Sequence, residues 1–375
     1  MKALPYGISD FPRVMREDYY YVDKTRFIEM LERQPPYLFL IRPRRFGKSL
    51  FLAMLEAYYS IDYANRFKEL FGELYIGQHP TKRHNSYMVL RFNFSAISSK
   101  LEDVERSFSE YCCMVMKNFI LKYEHLMGSD VWKVVNPDET NPRQMLSALK
   151  EYVSRTDCPR IYLLIDEYDN FTNTILSSYG QERYREKTHG EGFIRGFFNN
   201  IKDSTSNADA AVERLFITGV SPITMDDVTS GFNIGTNISM LPEFNSVIGF
   251  SMEEMREMVS YYKSESALPA DMTVDGLIET MKPWYDNYCF SSWNLDEKVF
   301  NSDMALYFLN SYLLRKRAPE MMIDSNIRTD YNKLRHLVQI DKRFGANASV
   351  IQQIIAEGSI TAQIATSFPA EKMTD

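Results

Sequence analysis

The 375-residue chain is poor in the side chains that build metal centres and covalent staples, with four cysteines and five histidines. Cys112, Cys113, Cys158 and Cys289 show no metal-ligand or disulfide spacing, and the histidines are scattered. This excludes a zinc centre and a disulfide scaffold and fits reduced thiols, with the Cys112–Cys113 pair expected on a core-facing helix. Long hydrophobic runs are missing as well. No stretch approaches the roughly 20 apolar residues that span a bilayer, and the first residues lack the apolar region of a signal peptide. A cytoplasmic location and no membrane partner are therefore expected. Positive charge is in deficit: 43 Lys and Arg against 50 Asp and Glu leave a net charge of −7 and a pI near 5.5. General nucleic-acid affinity needs a positive surface, so nucleic acid is a partner only through a local basic face. No internal repeat and no low-complexity tract is present. What the chain does have is 45% hydrophobic and 14% aromatic content. That is ample for a sizeable core, and the length suggests two or three structural units.

Residues 37–41, Tyr-Leu-Phe-Leu-Ile, read as a buried strand running into Arg42-Pro43-Arg44-Arg45-Phe46-Gly47-Lys48-Ser49-Leu50 and then a helical pattern. A phosphate-binding loop needs this layout: a strand, a tight turn, and a helix whose first N–H groups point at an anion. Arg44, Arg45, Phe46, Gly47, Lys48, Ser49 and Leu50 are the expected nucleotide contacts. Lys48 would reach the β- and γ-phosphates and the Ser49 hydroxyl would ligate Mg²⁺. The match to G-x-x-x-x-G-K-[ST] is incomplete, because Arg42 stands at the first glycine. Glycine there accepts backbone angles that other residues resist. Arg42 is thus expected in an ordinary conformation and the loop in an altered shape. A Gly-Lys-Ser tripeptide alone is equally compatible with a helix start beside a solvated basic flank.

A second stretch adds weight. Residues 161–165 are apolar and lead into Asp166-Glu167-Tyr168-Asp169. A continuous apolar run suits a central parallel strand covered on both faces, and its carboxyl end is where open α/β sheets bind ligands. Asp166 would hold Mg²⁺, and Glu167 would orient or deprotonate the attacking water. The plain alternative is a helix cap, since acidic residues favour helix N-termini. Asp169 suits loop positioning as well as chemistry. A third run, Leu215-Phe216-Ile217-Thr218-Gly219-Val220-Ser221, is another apolar strand ending in small polar residues. Thr218 or Ser221 would sense the γ-phosphate, and a Thr-Gly turn after a core strand is the alternative.

These stretches, with Leu4–Phe11, Tyr21–Thr25, Thr218–Ile223 and Trp284–Phe290, resemble the bacterial AAA-ATPase-like family of P-loop proteins across roughly residues 4–330. Arg42 in place of the glycine resembles the family's own variant. The resemblance implies an ATPase domain, often followed by a PD-(D/E)XK nuclease-like domain. No catalytic nuclease pattern follows residue 330, so nuclease activity is not expected here, whether the chain is a short member or stops before that domain.

The organisation read from the chain is an N-terminal arm and helix (1–36), with Asp23 or Thr25 as cap, then a P-loop ATPase domain (37–250), a small helical lid domain (251–330) and a linker or tail (331–375). Further strands are expected near 87–94 and 215–220, and helices near 48–60, 100–126, 143–155 and 191–203. Turn signals in 170–192 mark an exposed loop. A Gly-, Thr- and Asn-rich segment follows over 224–243. Ser251-Met252-Glu253-Glu254 is a capping-box pattern. The Trp284–Tyr288 aromatics read either as a mini-core or as a contact with the nucleotide or ATPase domain.

The fold class expected is α/β, a P-loop NTPase three-layer sandwich with a mainly parallel sheet followed by a small helical domain. The function expected is Mg²⁺-dependent ATP binding and hydrolysis, with Glu167, Lys48, Thr218 and Arg45 as the catalytic set, Ser49 and Asp166 on Mg²⁺, and ATP and Mg²⁺ as cofactors. Arg44 and Arg45 are candidates for stabilising transition-state charge, with Arg195 and Arg214 weaker ones. A nucleotide-gated switch with little turnover, acting on an unidentified protein partner, is the alternative. A motor in a nucleic-acid-processing system is a third. Oligomeric state is left open.

Overall fold

The computed structural model describes residues 1–171, 173–175, 192–203, 210–221, 235–324 and 356. At its centre lie β1 (Tyr37–Ile41), β2 (Met88–Asn93), β3 (Ile161–Asp166), β4 (Val212–Gly219) and β5 (Thr236–Asn237). They form one sheet in the order β2-β3-β4-β1-β5, and every pairing is parallel. Strand side chains alternate between faces, and here both faces are apolar. Leu38, Leu40, Tyr162, Leu164 and Phe216 join one core, completed by residues of the helices Phe11–Arg16, Phe27–Arg33 and Lys48–Tyr59. Phe39, Leu163, Ile165, Leu215 and Ile217 join the other, under the helices Val104–Met127, Pro142–Arg155 and Phe193–Asp203. This is the three-layer α/β arrangement of P-loop NTPases. All six residues of β3 are buried, as its unbroken apolar run requires, whereas β2 forms a sheet edge. Cys112 and Cys113 are buried on the long helix facing the second core.

A smaller unit follows. The helices Met252–Ser264, Val274–Tyr285 and Ser302–Arg315 pack with a small antiparallel sheet of β6 (Phe250–Ser251), β7 (Asp286–Tyr288) and β8 (Val299–Phe300). Their shared core includes Met255, Met258, Tyr262, Ile278, Tyr285 and Phe308. The capping box forms as read: Glu254 N–H donates to Ser251 Oγ, and the Glu254 carboxylate accepts the Ser251 N–H. The N-terminal stretch divides between units. Leu4, Tyr20 and Val22 pack on the small core, while Phe11, Phe27 and Leu31 pack on the sheet.

Two local expectations shift. Neither Asp23 nor Thr25 caps Phe27–Arg33, whose N-cap is Arg26 without a side-chain bond. Instead Asp23 Oδ2 accepts the Tyr75 N–H at 2.8 Å and Thr25 Oγ1 accepts the Ile76 N–H at 3.1 Å. Both serve the start of a different helix, Tyr75–Gln78, distant in the chain, rather than the helix that follows them. The Trp284–Tyr288 aromatics also part company. Tyr285 is buried in the small core, Trp284 is half exposed, and Tyr288 stacks edge-on against Phe46 of the loop at 4.7 Å. Of the expected exposed loop at 170–192, residues 172 and 176–191 lie outside the described residues, and at its start Phe171 and Ile175 are helical and buried in the second core rather than exposed. Also outside the described residues are 224–234 of the following polar segment and, apart from 356, all of 331–375.

Candidate nucleotide site

The site begins with strand register. β3, β4 and β1 are neighbours in the sheet. Ile41 is level with Gly219, Leu40 with Thr218, and Ile165 with Ile217. Asp166, Thr218 and the start of the loop thus emerge side by side at the carboxyl ends. From β1 the chain crosses to β2 at one edge, while β5 lies at the other. This reversal opens the crevice where α/β sheets bind ligands.

The loop turns through two left-handed residues, Arg45 at φ 67° and Gly47 at φ 88°. Gly47 immediately precedes the helix Lys48–Tyr59, whose first N–H groups have no intrahelical acceptor. Arg42 keeps an ordinary φ, as expected, and its N–H continues the ladder to Gly219 O at 3.1 Å. Its guanidinium is buried. It donates to the carbonyls of Ile41 (3.0 Å), Ser239 (2.6 Å) and Phe244 (2.8 Å) and lies 4.0 Å from the Phe290 ring. Burial pushes its pKa down to about 9, which still leaves it cationic at neutral pH. Arg42 therefore braces the loop from behind.

The polar centre lies under the loop. Asp166 is fully buried. Its Oδ2 accepts from Ser49 Oγ at 2.6 Å and its Oδ1 from Thr218 Oγ1 at 2.7 Å. Arg91 from β2 stands behind them, with Nη2 3.3 Å from Ser49 O and 4.0 Å from Asp166 Oδ2, and Nη1 on Glu56 at 3.0 Å. Lys48 is buried and its Nζ donates back to the loop carbonyls of Arg42 (3.1 Å) and Pro43 (2.9 Å). Burial lowers its pKa, opposed by Asp166, Glu167 and Asp169. Glu167 takes a left-handed φ of 52°, unusual for a non-glycine. Burial and the neighbouring Asp166 raise its pKa, against Lys48 and Arg44.

Asp169 and Ser221 do other work. Asp169 is buried, and its carboxylate accepts the N–H groups of Val220 and Ser221 and the Asn173 amide. Burial raises its pKa, and these hydrogen bonds oppose the shift. It fixes the turn after β4. The Tyr168 hydroxyl donates to Ser221 O at 2.7 Å, and its ring lies over Gly219, where a Cβ would come within 2.3 Å. Thr218, not Ser221, is the residue whose hydroxyl meets Asp166. Arg214 sits at the opposite end of β4 and donates to Leu31 O at 3.1 Å, away from this centre.

A cleft of about 510 Å³ opens above the loop. Arg44, Arg45, Phe46, Gly47, Lys48, Ser49, Leu50 and Glu167 line one side. Pro5, Gly7–Ser9 and Tyr20–Val22 of the N-terminal stretch, with Ile248, Phe250, Met258 and Leu306, line the other. The small unit also grips the loop. Asn301 Nδ2 and Ser302 Oγ approach Arg44 O and Arg45 O at 3.4 Å, and the Asp303 N–H donates to Arg45 O at 3.2 Å. Phe46 is buried between Tyr288 and Phe290.

A family profile described as AAA-ATPase-like, a predicted AAA-ATPase, matches residues 5–229. The chain belongs to the AAA-ATPase-like family. Among curated proteins, an uncharacterised protein of the vnfD 5′ region of Azotobacter chroococcum mcd 1 is 28% identical over 341 residues, covering 86% of this chain. The chain spans 56% of that relative's length. The AAA-ATPase-like match takes in the loop, Asp166, Glu167 and Thr218 but ends before the small unit.

Sequence reasoning missed Arg91, Asn301, Ser302 and Asp303. Arg91 lies inside a strand pattern with no flanking motif. The other three lie more than 250 residues from the loop carbonyls they meet. Only the Asn301 cap of Ser302–Arg315 has a local signature. Among the described residues no cluster of three or more His, Cys, Asp or Glu suits a metal ion, and no helix is long and apolar enough to cross a membrane.

Proposed function

We propose that the cleft binds ATP with Mg²⁺ and hydrolyses it. The observation that carries this reading is the Ser49–Asp166–Thr218 hydrogen-bonded set lying under a Gly47-Lys48 helix start. The donor chemistry fits Mg²⁺: a hydroxyl and a carboxylate in mutual contact are hard oxygen ligands, and Mg²⁺ uses one or two of these beside substrate phosphates and water. Ser49 and Asp166 would hold the ion, which supplies neutralisation of the phosphate charge when bound. Thr218 holds the second Asp166 oxygen and so fixes the carboxylate's rotation.

Lys48 gives up the loop carbonyls for the phosphates. Its ammonium is desolvated already, which strengthens each charge-assisted bond it makes. Glu167 accepts the proton of the attacking water. Its raised pKa makes it a stronger base than a solvated glutamate. Arg44 and Arg45 face the cleft and add positive charge near the phosphates. Catalysis here is positioning and charge neutralisation. A cleft of about 510 Å³ falls in the range of small-molecule sites, and its apolar wall takes the base.

The test is ATP turnover with Mg²⁺ by the full chain and by Glu167→Gln. Turnover that falls about 100-fold or more in the variant, with ATP binding retained, supports the assignment. Equal turnover in both removes Glu167 from its role. Tight binding without turnover in the unaltered chain favours a nucleotide-gated switch acting on a partner.

A further inference from the structure

We propose that Asp303 reads the sugar of the bound nucleotide, accepting a hydrogen bond from the ribose 2′/3′-hydroxyls, so that the site prefers ribonucleotides. This rests on the nucleotide reading of the cleft. Three observations point to it. Asp303 lines the cleft together with Lys48 and Ser49. Its Oδ2 is buried and accepts no hydrogen bond, and Arg45 Nη1 stands 3.9 Å away as a long ion pair. An ionised carboxylate offers about four acceptor positions, and leaving one dry is costly.

The third observation is position. The Asp303 N–H donates to Arg45 O at 3.2 Å, which pins the residue against the phosphate loop. Leu306, further along the same helix, lines the cleft with Ile248, Phe250 and Met258. A nucleotide that lays its phosphates on the loop and its base on that apolar wall places its ribose between the two, beside Asp303. Carboxylates take ribose hydroxyls in other nucleotide folds for the same reason, a charged acceptor facing a diol. Asp303 lies beyond the matched residues 5–229. The small unit thus contributes a specificity residue as well as a brace.

Calorimetric titration of the full chain with ATP and with 2′,3′-dideoxy-ATP tests this, alongside Asp303→Ala and the isosteric Asp303→Asn. The unaltered chain is expected to bind ATP about 10- to 100-fold more tightly than the dideoxy form, as one charged hydrogen bond implies. Asp303→Ala closes the gap to within about twofold, and Asp303→Asn narrows it. Equal binding of the two nucleotides by the unaltered chain overturns the proposal while leaving the nucleotide reading intact. So does an unchanged preference in either variant. Failure of the unaltered chain to bind either nucleotide contradicts the nucleotide reading itself.

Discussion

The two ends of the central sheet bury charge in different ways. At the amino end, Arg214 is packed among Tyr59, Tyr87 and Tyr162 and donates to Leu31 O. Tyr59 and Tyr162 rings lie 4.7 Å apart, and the Tyr87 and Tyr59 hydroxyls are spent on Glu213 and Glu32. At the carboxyl end, Lys48 and Asp166 are as deeply buried but lie under a cleft. Their partners there are the short, re-formable contacts of a hydroxyl and of loop carbonyls. Buried charge alone therefore does not mark a site. Arg214 is held by Leu31 O and the tyrosines, with its Nε left without a partner, and it does not line the cleft. Lys48 and Asp166 hold exchangeable contacts beneath a cleft, as the proposed nucleotide and cation would require.

The comparison breaks most sharply at Asp166. Asp166→Asn keeps the shape and a contact for Ser49 but removes the charge. Turnover is expected to fall about 1,000-fold, read by phosphate release, with a stability change below about 1 kcal/mol. A loss of stability in place of activity would put Asp166 in the same class as Arg214. The reverse holds for Arg214→Met. Chemical denaturation should show about 2–3 kcal/mol of lost stability, since Leu31 O and the tyrosine cluster lose their cation. ATP affinity should stay within about twofold.

Arg42→Gly, which restores the usual loop glycine, sharpens the contrast further. It removes three carbonyl hydrogen bonds and the Phe290 contact. The expected cost is about 2 kcal/mol in thermal unfolding, with weakened ATP affinity because the brace is gone. A stabilised variant would show that the arginine is tolerated rather than used. Thr218→Val should lower turnover about 10-fold through a freer Asp166 carboxylate, with little change in ATP binding. The smallest effect concerns pH. In the proposed mechanism Glu167 would act as a base only when ionised, and its folded pKa lies above the ordinary 4.5. Turnover should thus fall as pH drops through that raised value, and the acid limb should sit above 4.5. A limb at or below the ordinary glutamate value would separate Glu167 from the rate.

Much of this was legible in the chain itself. The apolar runs before Arg42, Asp166 and Thr218 are the strands β1, β3 and β4, because a doubly covered parallel strand must be apolar on both faces. Their polar ends meet in the candidate site because parallel register aligns carboxyl ends. Arg42's ordinary backbone follows from its side chain. The left-handed turn it declines falls on Arg45, a residue type with no local preference for that conformation. The grip of Asn301, Ser302 and Asp303 on the loop was not legible, since it joins segments more than 250 residues apart. The N-terminal stretch shows the same limit. Its motif was visible, but its place as one wall of the cleft depends on packing against two cores.

The central claim is that a nucleoside triphosphate occupies the cleft through Lys48. Titration of the full chain and of Lys48→Ala with ATP in the presence of Mg²⁺ measures it most directly. The account predicts saturable binding by the unaltered chain and a loss of about 100-fold or more in affinity in Lys48→Ala. Absence of binding, or equal binding by both proteins, would contradict it.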